Sequence, residues 1–501
     1  MVDAQKLKVD LTDVNLFGND AAELEDETVF WSYALELPEL KALANPSNQL
    51  QILRAYKGEG KSALLRMLSA ELRKRKEGTI VVIDSTAADL SPGIDSLDND
   101  QWVKGWKASI FATVAAELGT EVGGAWSDDA MQLVEEAERT GKRPYGLVSS
   151  IFRRLKFSGS GVEMVDSNLR PKEGVVRRKL DDKSTEVWLL LDEVDRDFQN
   201  TLIERRRIMG LLTACRYMLQ KVPQLRMRLA VRPNIWATLA QEFESLTHLK
   251  QYVMDLHWNE DGIRRLLARR VEGHFRRQNL SFEVVQLLER NADRKDQTLI
   301  DLAFEGPMKW GKNVRPPHVV LSTLSRFRPR WLVELCRAAS KLAVLRNHDK
   351  ITKEEITPCL ADLGDQRRQD TVAEYKNLCP QLAEVMSAFA NSREEFNTRE
   401  LYHLIQNKII EHVPVDIAGK GKVGVRDVAE LLFFVGFITA KRSHDNGKYE
   451  HYSFSQNPTL FQSRSNPDQG MTWEIHPVFR QSLGLRDEMG RVTRRQDGRE
   501  L

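Results

Sequence analysis

A short apolar run, a glycine turn and an amphipathic helix, in that order, constrain this 501-residue chain more than anything else in it. Gln49 to Ala55 (QLQILRA) reads as a strand, and AYKGEGKS follows from Ala55 to Ser62. SALLRMLSAELRKRK then places Leu64, Leu65, Leu68 and Leu72 on one side at helical spacing. A strand that turns on glycines into a helix aims backbone N–H groups, and the positive end of the helix, at an anion. The segment fits G-x-x-x-x-G-K-[S/T] except at its first position, where Ala55 stands. Gly58 and Gly60 keep Cβ atoms out of the way of phosphates. In this pattern Lys61 reaches the β and γ phosphates and the Ser62 hydroxyl ligates Mg2+. The expected nucleotide-binding set is Ala55, Tyr56, Lys57, Gly58, Glu59, Gly60, Lys61, Ser62 and Ala63. Alanine at 55 is the smallest step from glycine, but a distorted turn and weaker binding are its expected consequences.

A second apolar run, VWLLLDEVD from Val187 to Asp195, ends in Asp192-Glu193. An Asp at such a strand end holds Mg2+, often through water. Glu193 is then placed to orient or deprotonate an attacking water, with Asp195 as the rival base. MRLAVRP, Met227 to Pro233, reads as a further strand, and Arg232 at its end is placed to sense a γ-phosphate. The expected catalytic set is Lys61, Glu193, Asp195 and Arg232; the metal set is Ser62 and Asp192. RFRPRWLVELCRAA begins a helix after Pro329, with Arg330 as a second phosphate sensor and Arg328 as the alternative. Arg205-Arg206-Arg207 reads as a solvated helix face, or as a finger offered to a neighbouring subunit.

TIVVIDS, Thr79 to Ser85, is a third buried strand, and helical patterns separate the strands. Short apolar strands alternating with helices predict an α/β P-loop NTPase core with a mainly parallel sheet. After residue 245 the strand signal fades into the amphipathic helices Asp261 to Glu272 and Arg330 to Val344, a helical lid. Pro380 to Ile410 is read as helical, as is Gly424 to Phe437. FITAKRSHDNGKYEHYSF then reads as two strands around Asp445-Asn446-Gly447, a strong hairpin signal. The expected domains are a lead-in over 1–47 packed on the ATPase core, the core over 48–245, the lid over 246–365, a winged helix over 366–485 and a charged tail over 486–501. Residues 84–186 are read as crossover helices with an insertion. Its Trp102, Trp106 and basic RRLKF (Arg153 to Phe157) suggest a partner surface.

The charges, 74 basic against 72 acidic, nearly cancel to +2, a balance that neither demands nor excludes nucleic acid. Cys215, Cys336, Cys359 and Cys379 show no C-x-x-C spacing, which suits a reducing cytoplasm rather than a disulfide framework. The N-terminal residues lack the apolar core of a signal peptide, and no run of about 18 apolar residues occurs. The expectation is a cytoplasmic protein that does not engage a membrane.

These features together resemble the AAA+ and STAND-like superclass of P-loop ATPases. The similarity is greatest to a group of poorly characterised bacterial members, carried by LFGNDAAE at Leu16 to Glu23, K-G-x-G-K-S-A, DEVDR at Asp192 to Arg196 and the R-P-R of Arg328 to Arg330. Arginine-ended MRLAVR and the closing WEIHPVFRQSLGL, Trp473 to Leu485, belong to the same likeness. The order of parts is also similar to origin-recognition-type ATPases. The resemblance implies ATP and Mg2+ as ligands, slow turnover, a winged helix at 366–485, and work in a mobile-element or anti-phage system, where bacterial ATPases of this superclass often act. A winged helix implies duplex DNA at the hairpin residues Lys441, Arg442 and Lys448, or else a protein effector. GVRDVAELLFFVGF, the helix before the hairpin, carries few base-reading side chains. Three outputs are expected to compete: a switch acting on a partner, an ATP-dependent DNA-binding loader or regulator, and a nucleotide-bound scaffold that turns over little. ATP-dependent self-assembly is compatible with each.

Overall fold

The computed structural model describes residues 7–75, 79–121, 128–142, 172–181, 185–196, 198–311, 313–443, 449–461 and 470–486. The chain divides into two compact units: Glu36–Tyr56 with Gly60–His257, and Met1–Leu35 with Lys57–Glu59 and Trp258–Leu501.

The first of these is the sheet unit. It runs α2 (Pro38–Leu43), β1 (Leu50–Arg54), α3 (Lys61–Lys74), β2 (Thr79–Thr86), α4 (Asn99–Glu121), α5 (Asp128–Arg139), α6 (Lys172–Leu180), β3 (Thr185–Asp192), α7 (Leu202–Lys221), β4 (Leu225–Val231), α8 (Pro233–Glu242) and β5 (Val253–Asp255). The strands lie in the order β2-β3-β4-β1-β5, every pair parallel. Parallel strands must be covered on both faces, so their sequences read as continuous apolar runs. Along β3 and β4, Leu189, Leu191, Met227 and Leu229 share one core with Trp106, Ile110, Ile208 and Leu211 of α4 and α7. The alternate residues Trp188, Leu190, Arg228 and Ala230 belong to the other face, as the two-residue period of a strand requires.

Arg228 is fully buried on that second face. Its Nε donates to the Leu43 carbonyl at 2.6 Å, Nη1 to the Met227 carbonyl at 2.9 Å and Nη2 to the Asn45 carbonyl at 3.1 Å. The guanidinium stands 4.7 Å from the Trp188 ring centroid. It thereby satisfies carbonyls at the end of α2, which a helix C-terminus leaves unpaired. Burial holds its pKa down at about 9, and Arg226 and Arg75 add to the effect.

One expectation changes here, one strand is added and one segment is untested. The strand β5 was not anticipated. Trp102 and Trp106 are 2 % and 1 % exposed and sit in the core, so they form no partner surface. Their indole N–H groups donate inward, to the Ser96 and Arg207 carbonyls. Arg153 to Phe157 lie outside the described residues.

The other unit is mainly helical, with α1 (Glu27–Tyr33), α9 (Glu260–Arg277), α10 (Ser281–Arg290), α11 (Lys295–Ala303), the hairpin β6 (Met308–Trp310) and β7 (Asn313–Arg315), α12 (Pro317–Leu324), α13 (Pro329–Leu345) and α14 (Lys353–Tyr375). Leu7, Val9, Leu11, Leu16 and Phe17 share its core with Ile263, Leu267 and Phe275. The lead-in was expected on the ATPase core; instead residues 7–35 group with these helices, and 36–47 with the sheet. No break falls at 365, because α14 is one helix across that expected boundary.

The chain then forms α15 (Leu382–Ser387), β8 (Glu395–Asn397), α16 (Thr398–Ile405), α17 (Val425–Phe434), β9 (Ile438–Ser443), β10 (Tyr449–Tyr452), β11 (Thr472–Ile475) and α18 (Pro477–Arg480). The strands make an antiparallel sheet in the order β10-β9-β11-β8. Two expectations are corrected. Pro380 to Ile410 is not continuously helical, since β8 interrupts it. The helix predicted to reach Phe437 stops at Phe434, because Gly436 at φ 68° ends it, with the Phe437 N–H donating to the Leu432 carbonyl at 2.9 Å.

Arg228→Ala removes three bonds to buried carbonyls and leaves a void beside Trp188. The sheet unit is expected to lose about 2–4 kcal/mol, read from urea unfolding followed by tryptophan fluorescence.

Candidate nucleotide site

The strand registers set the geometry. Ser85, Leu191, Leu229, Ile52 and Val253 form one row across the sheet. All five strands end within three residues beyond that row, on the same edge. Ala55 leaves β1 there, Asp192 ends β3 and Arg232 follows β4. In open parallel sheets this carboxyl edge is where ligands sit.

Ala55 is 1 % exposed, and its N–H donates to the Val231 carbonyl at 3.3 Å, so it prolongs the β1–β4 ladder. The left-handed positions of the turn are Gly58 (φ 84°) and Gly60 (φ 95°). The expected distortion at 55 therefore does not occur: a Cβ there fits inside the core. Gly60 precedes the first residue of α3, and its carbonyl accepts the Leu64 N–H at 3.0 Å. Lys61 starts α3, and its Nζ donates to the Ala55 carbonyl at 2.5 Å and approaches the Tyr56 carbonyl at 3.4 Å. The ammonium is thus curled over the turn. Ser62 and Ala63 follow in the first turn of α3, half-buried.

The tip of the turn, Lys57–Glu59, groups with the helical unit, and each of its residues has a partner there. Lys57 Nζ stands 3.9 Å from Asp370 on α14. The Gly58 carbonyl accepts the Arg330 N–H at 3.1 Å, and the Glu59 carbonyl accepts the Trp258 indole N–H at 2.8 Å. A Cβ on Gly58 would stand 2.9 Å from Arg330 Cβ, so that position excludes a side chain by contact as well as by φ.

At the end of β3, the Glu193 N–H donates to the Asp192 carboxylate at 2.7 Å. Glu193 has φ 52°, a left-handed conformation that is costly outside glycine and tends to gather at functional sites. Its carboxylate is exposed and accepts from Arg196 at 3.0 Å. Asp195 differs: it is 2 % exposed, accepts the Arg232 N–H at 2.5 Å and stands 3.5 Å from Arg232 Nε. The rival base is therefore a buried latch that ties the β3 end to the β4 end. The Arg232 guanidinium faces that carboxylate.

The segment Arg326–Arg330 sends three arginines to three places within the helical unit. Arg326 donates to the Val435 carbonyl at 2.9 Å, at the end of α17. Arg328 is buried and bonds Glu374 at 2.9 Å; burial opposes its charge, and Glu374 more than offsets this, raising its pKa. Arg330 Nε donates to the Asp20 carbonyl at 3.2 Å. Neither Asp20 nor Glu374 is signalled by the sequence as a partner of these arginines. In the sheet unit, Arg205 and Arg206 pair with Glu242 at 3.1 and 3.9 Å, so this run is not a bare solvated face.

Of the hairpin residues, Lys441 is held between Glu395 at 2.8 Å and Glu474 at 2.7 Å. Burial opposes its charge, yet these carboxylates raise its pKa. Arg442 is exposed. Lys448 and the turn Asp445-Asn446-Gly447 lie outside the described residues. Among the described residues no cluster of metal-ligating side chains occurs and no helix is long and apolar enough to cross a membrane. All four cysteines are buried and unpaired as disulfides.

No protein-family model matches the chain. The putative transposon gamma-delta 80.3 kDa protein of Escherichia coli K12 is 21 % identical over 509 residues, covering 94 % of this chain and 67 % of that protein. Among solved structures, the Aeropyrum pernix ORC2 protein in ADPNP–ADP complexes is 11 % identical, with a TM-score of 0.38, over 88 % of this chain and 91 % of that one. Drosophila ORC bound to DNA is 11 % identical, with a TM-score of 0.32, over 90 % of each chain. Cdc6p from Pyrobaculum aerophilum is 12 % identical, with a TM-score of 0.29, over 90 % of this chain and 95 % of that one.

Asp195→Ala strands a buried N–H and a half-buried guanidinium, and is expected to cost about 2–4 kcal/mol in urea unfolding. Arg196→Ala removes only an exposed pair and should cost less than about 0.5 kcal/mol in the same measurement.

Proposed function

We propose that this chain is a P-loop ATPase of the AAA+ type that works as a nucleotide-controlled switch. One observation carries the reading: a glycine turn into α3, and an Asp-Glu pair at the end of β3, leave the same edge of an all-parallel sheet. Backbone N–H groups of Gly58 to Ser62 and the N-terminus of α3 would hold the phosphates of ATP. Lys61 exchanges its two carbonyl partners for the β and γ phosphates, which are stronger acceptors. Ser62 and Asp192 would hold Mg2+, which neutralises charge on the transferred phosphoryl group. Glu193 orients and deprotonates the attacking water. Its exposure and its position favour it over the buried Asp195. Arg232 acts at the γ-phosphate, positioned by Asp195. Arg330 is the residue of the helical unit proposed as the second sensor, on its place at the start of α13 in the R-P-R segment.

The output runs through the C-terminal part. The order α15, β8, α16, α17, β9, β10, β11 fits a winged helix. Its chemistry favours a protein partner over duplex DNA. Lys441 is consumed by two carboxylates. Of the three charged side chains of α17, Asp427 and Glu430 are acidic and tied to Lys420, and Arg426 is basic. Arg442 and Lys448 remain the residues for the DNA reading, in which ATP licenses assembly on the duplex. The name of the Escherichia coli relative supports a mobile-element setting over an anti-phage one. The alternatives of a scaffold with little turnover and of ATP-dependent self-assembly differ from the switch in rate and in size.

ATP turnover by the wild type, Lys61→Ala and Glu193→Gln, each with and without duplex DNA at low salt, tests the proposal. Lys61→Ala should abolish turnover. Glu193→Gln should keep ATP binding and lower kcat by about 10²–10³-fold. Added DNA should change the rate by less than about twofold; a larger effect would move the output to the DNA reading. A wild type that binds ATP without hydrolysing it would leave the scaffold.

A further inference from the structure

The turn that carries Glu193 is fixed from beneath. β3 ends at Asp192, whose carboxylate accepts the Glu193 N–H at 2.7 Å. Val194 and Asp195, next along the chain, are 1 % and 2 % exposed. Val194 packs in the core of the sheet unit, and Asp195 is tied to Arg232. The Arg196 N–H then donates to the Glu193 carbonyl at 3.0 Å and closes the turn. With both central residues anchored inward, the outer two, Glu193 and Arg196, are left in solvent. Their side chains meet there: Arg196 Nη1 donates to Glu193 Oε2 at 3.0 Å, and the two side chains are 58 % and 44 % exposed. The same anchors hold Glu193 at φ 52°, since left-handed residues other than glycine persist only where their surroundings over-determine them.

We infer that Arg196 is a positioning residue that restrains Glu193: its guanidinium holds the carboxylate that must take a proton from the attacking water, and so slows ATP hydrolysis. This rests on reading Glu193 as the base of the proposed ATPase. As the water oxygen bonds the γ-phosphorus and the bond to the leaving ADP oxygen breaks, one water proton passes to Glu193. A guanidinium bonds a charged carboxylate more strongly than a neutral one. Part of the Arg196 bond is therefore lost in the transition state, and an interaction stronger in the ground state raises the barrier. Both residues belong to the sheet unit and to one turn, so the pairing needs nothing beyond that turn. The restraint is weak by construction. An exposed pair is screened by solvent and salt, so it slows turnover without preventing it. A nucleotide-controlled switch requires slow turnover, because its ATP-bound state must last long enough to act on a partner.

Turnover of the full chain at saturating ATP, with ATP affinity from calorimetric titration, tests this with Arg196→Ala, Arg196→Lys, Glu193→Gln and the double variant Glu193→Gln/Arg196→Ala. Arg196→Ala should raise kcat by about two- to fivefold, the scale of an exposed ion pair, and leave ATP affinity unchanged. Arg196→Lys keeps a cation beside Glu193 and should bring kcat back toward the wild-type value. The ratio of Arg196→Ala to wild type should shrink toward one at about 1 M salt, which screens the pair. In the Glu193→Gln background, Arg196→Ala should leave the residual kcat where it is. An unchanged or lower kcat in Arg196→Ala, a loss of ATP affinity, or a gain that persists in the Glu193→Gln background would overturn the inference while leaving the ATPase standing. A wild type without turnover, or a Glu193→Gln variant with full turnover, would overturn the reading of Glu193 and the inference together.

Discussion

The constraint on which the sheet unit depends is the parallel register that puts Ser85, Leu191, Leu229, Ile52 and Val253 in one row. Parallel strands cannot be joined by tight turns, so each must be followed by a crossover, and every crossover starts at the same edge. Adjacent strands are about 4.8 Å apart, so whatever leaves β1, β4 and β3 just past that row is held within about 10 Å laterally. The glycine turn, Arg232 and the Asp192–Asp195 segment are those departures. Burial of both faces by α3 on one side and by α4 and α7 on the other makes the register hard to slip.

Within that frame the charged groups divide the work by burial. Asp195 is inside and fixes Arg232; Glu193 is outside, in a strained left-handed conformation, and is reachable by water. A buried carboxylate held by two donors braces the two strand ends. In the helical unit the same division recurs, with Arg328 buried on Glu374 and Arg330 half-buried beside Asp20. Neighbouring arginines of one short segment thus differ in role because the helix start at Pro329 turns them in different directions.

Much of the sheet unit was legible. The runs in β1, β2, β3 and β4 are apolar enough, and long enough, to be read as buried strands, and the glycine turn named its own neighbour α3. What escaped has physical reasons. β5 is three half-buried residues and carries no period to read. β8 is as short, and the helix formers around it concealed it. The helix ends at Phe434 short of the expected Phe437 because Gly436 lies within the apolar run, where its role as a stop carries no hydrophobic signal. Trp102 and Trp106 were misread as surface because long crossovers resemble insertions when their packing partners, such as Ile208 and Leu211, lie far along the chain. Among the proposed site residues, Lys61, Ser62, Asp192 and Glu193 are named by pattern. The ion pairs of Asp195 with Arg232 and of Arg330 with Asp20 are long-range in sequence. No local pattern announces them.

The central claim is that the turn from Ala55 to Ser62 is a nucleotide site. Equilibrium titration of the wild-type chain with ATP, with and without Mg2+, tests it most directly. The account predicts saturable binding of one ATP per chain, with a dissociation constant in the micromolar range, on the order of 1–100 μM, tightened by Mg2+. No saturable binding at about millimolar ATP would contradict it.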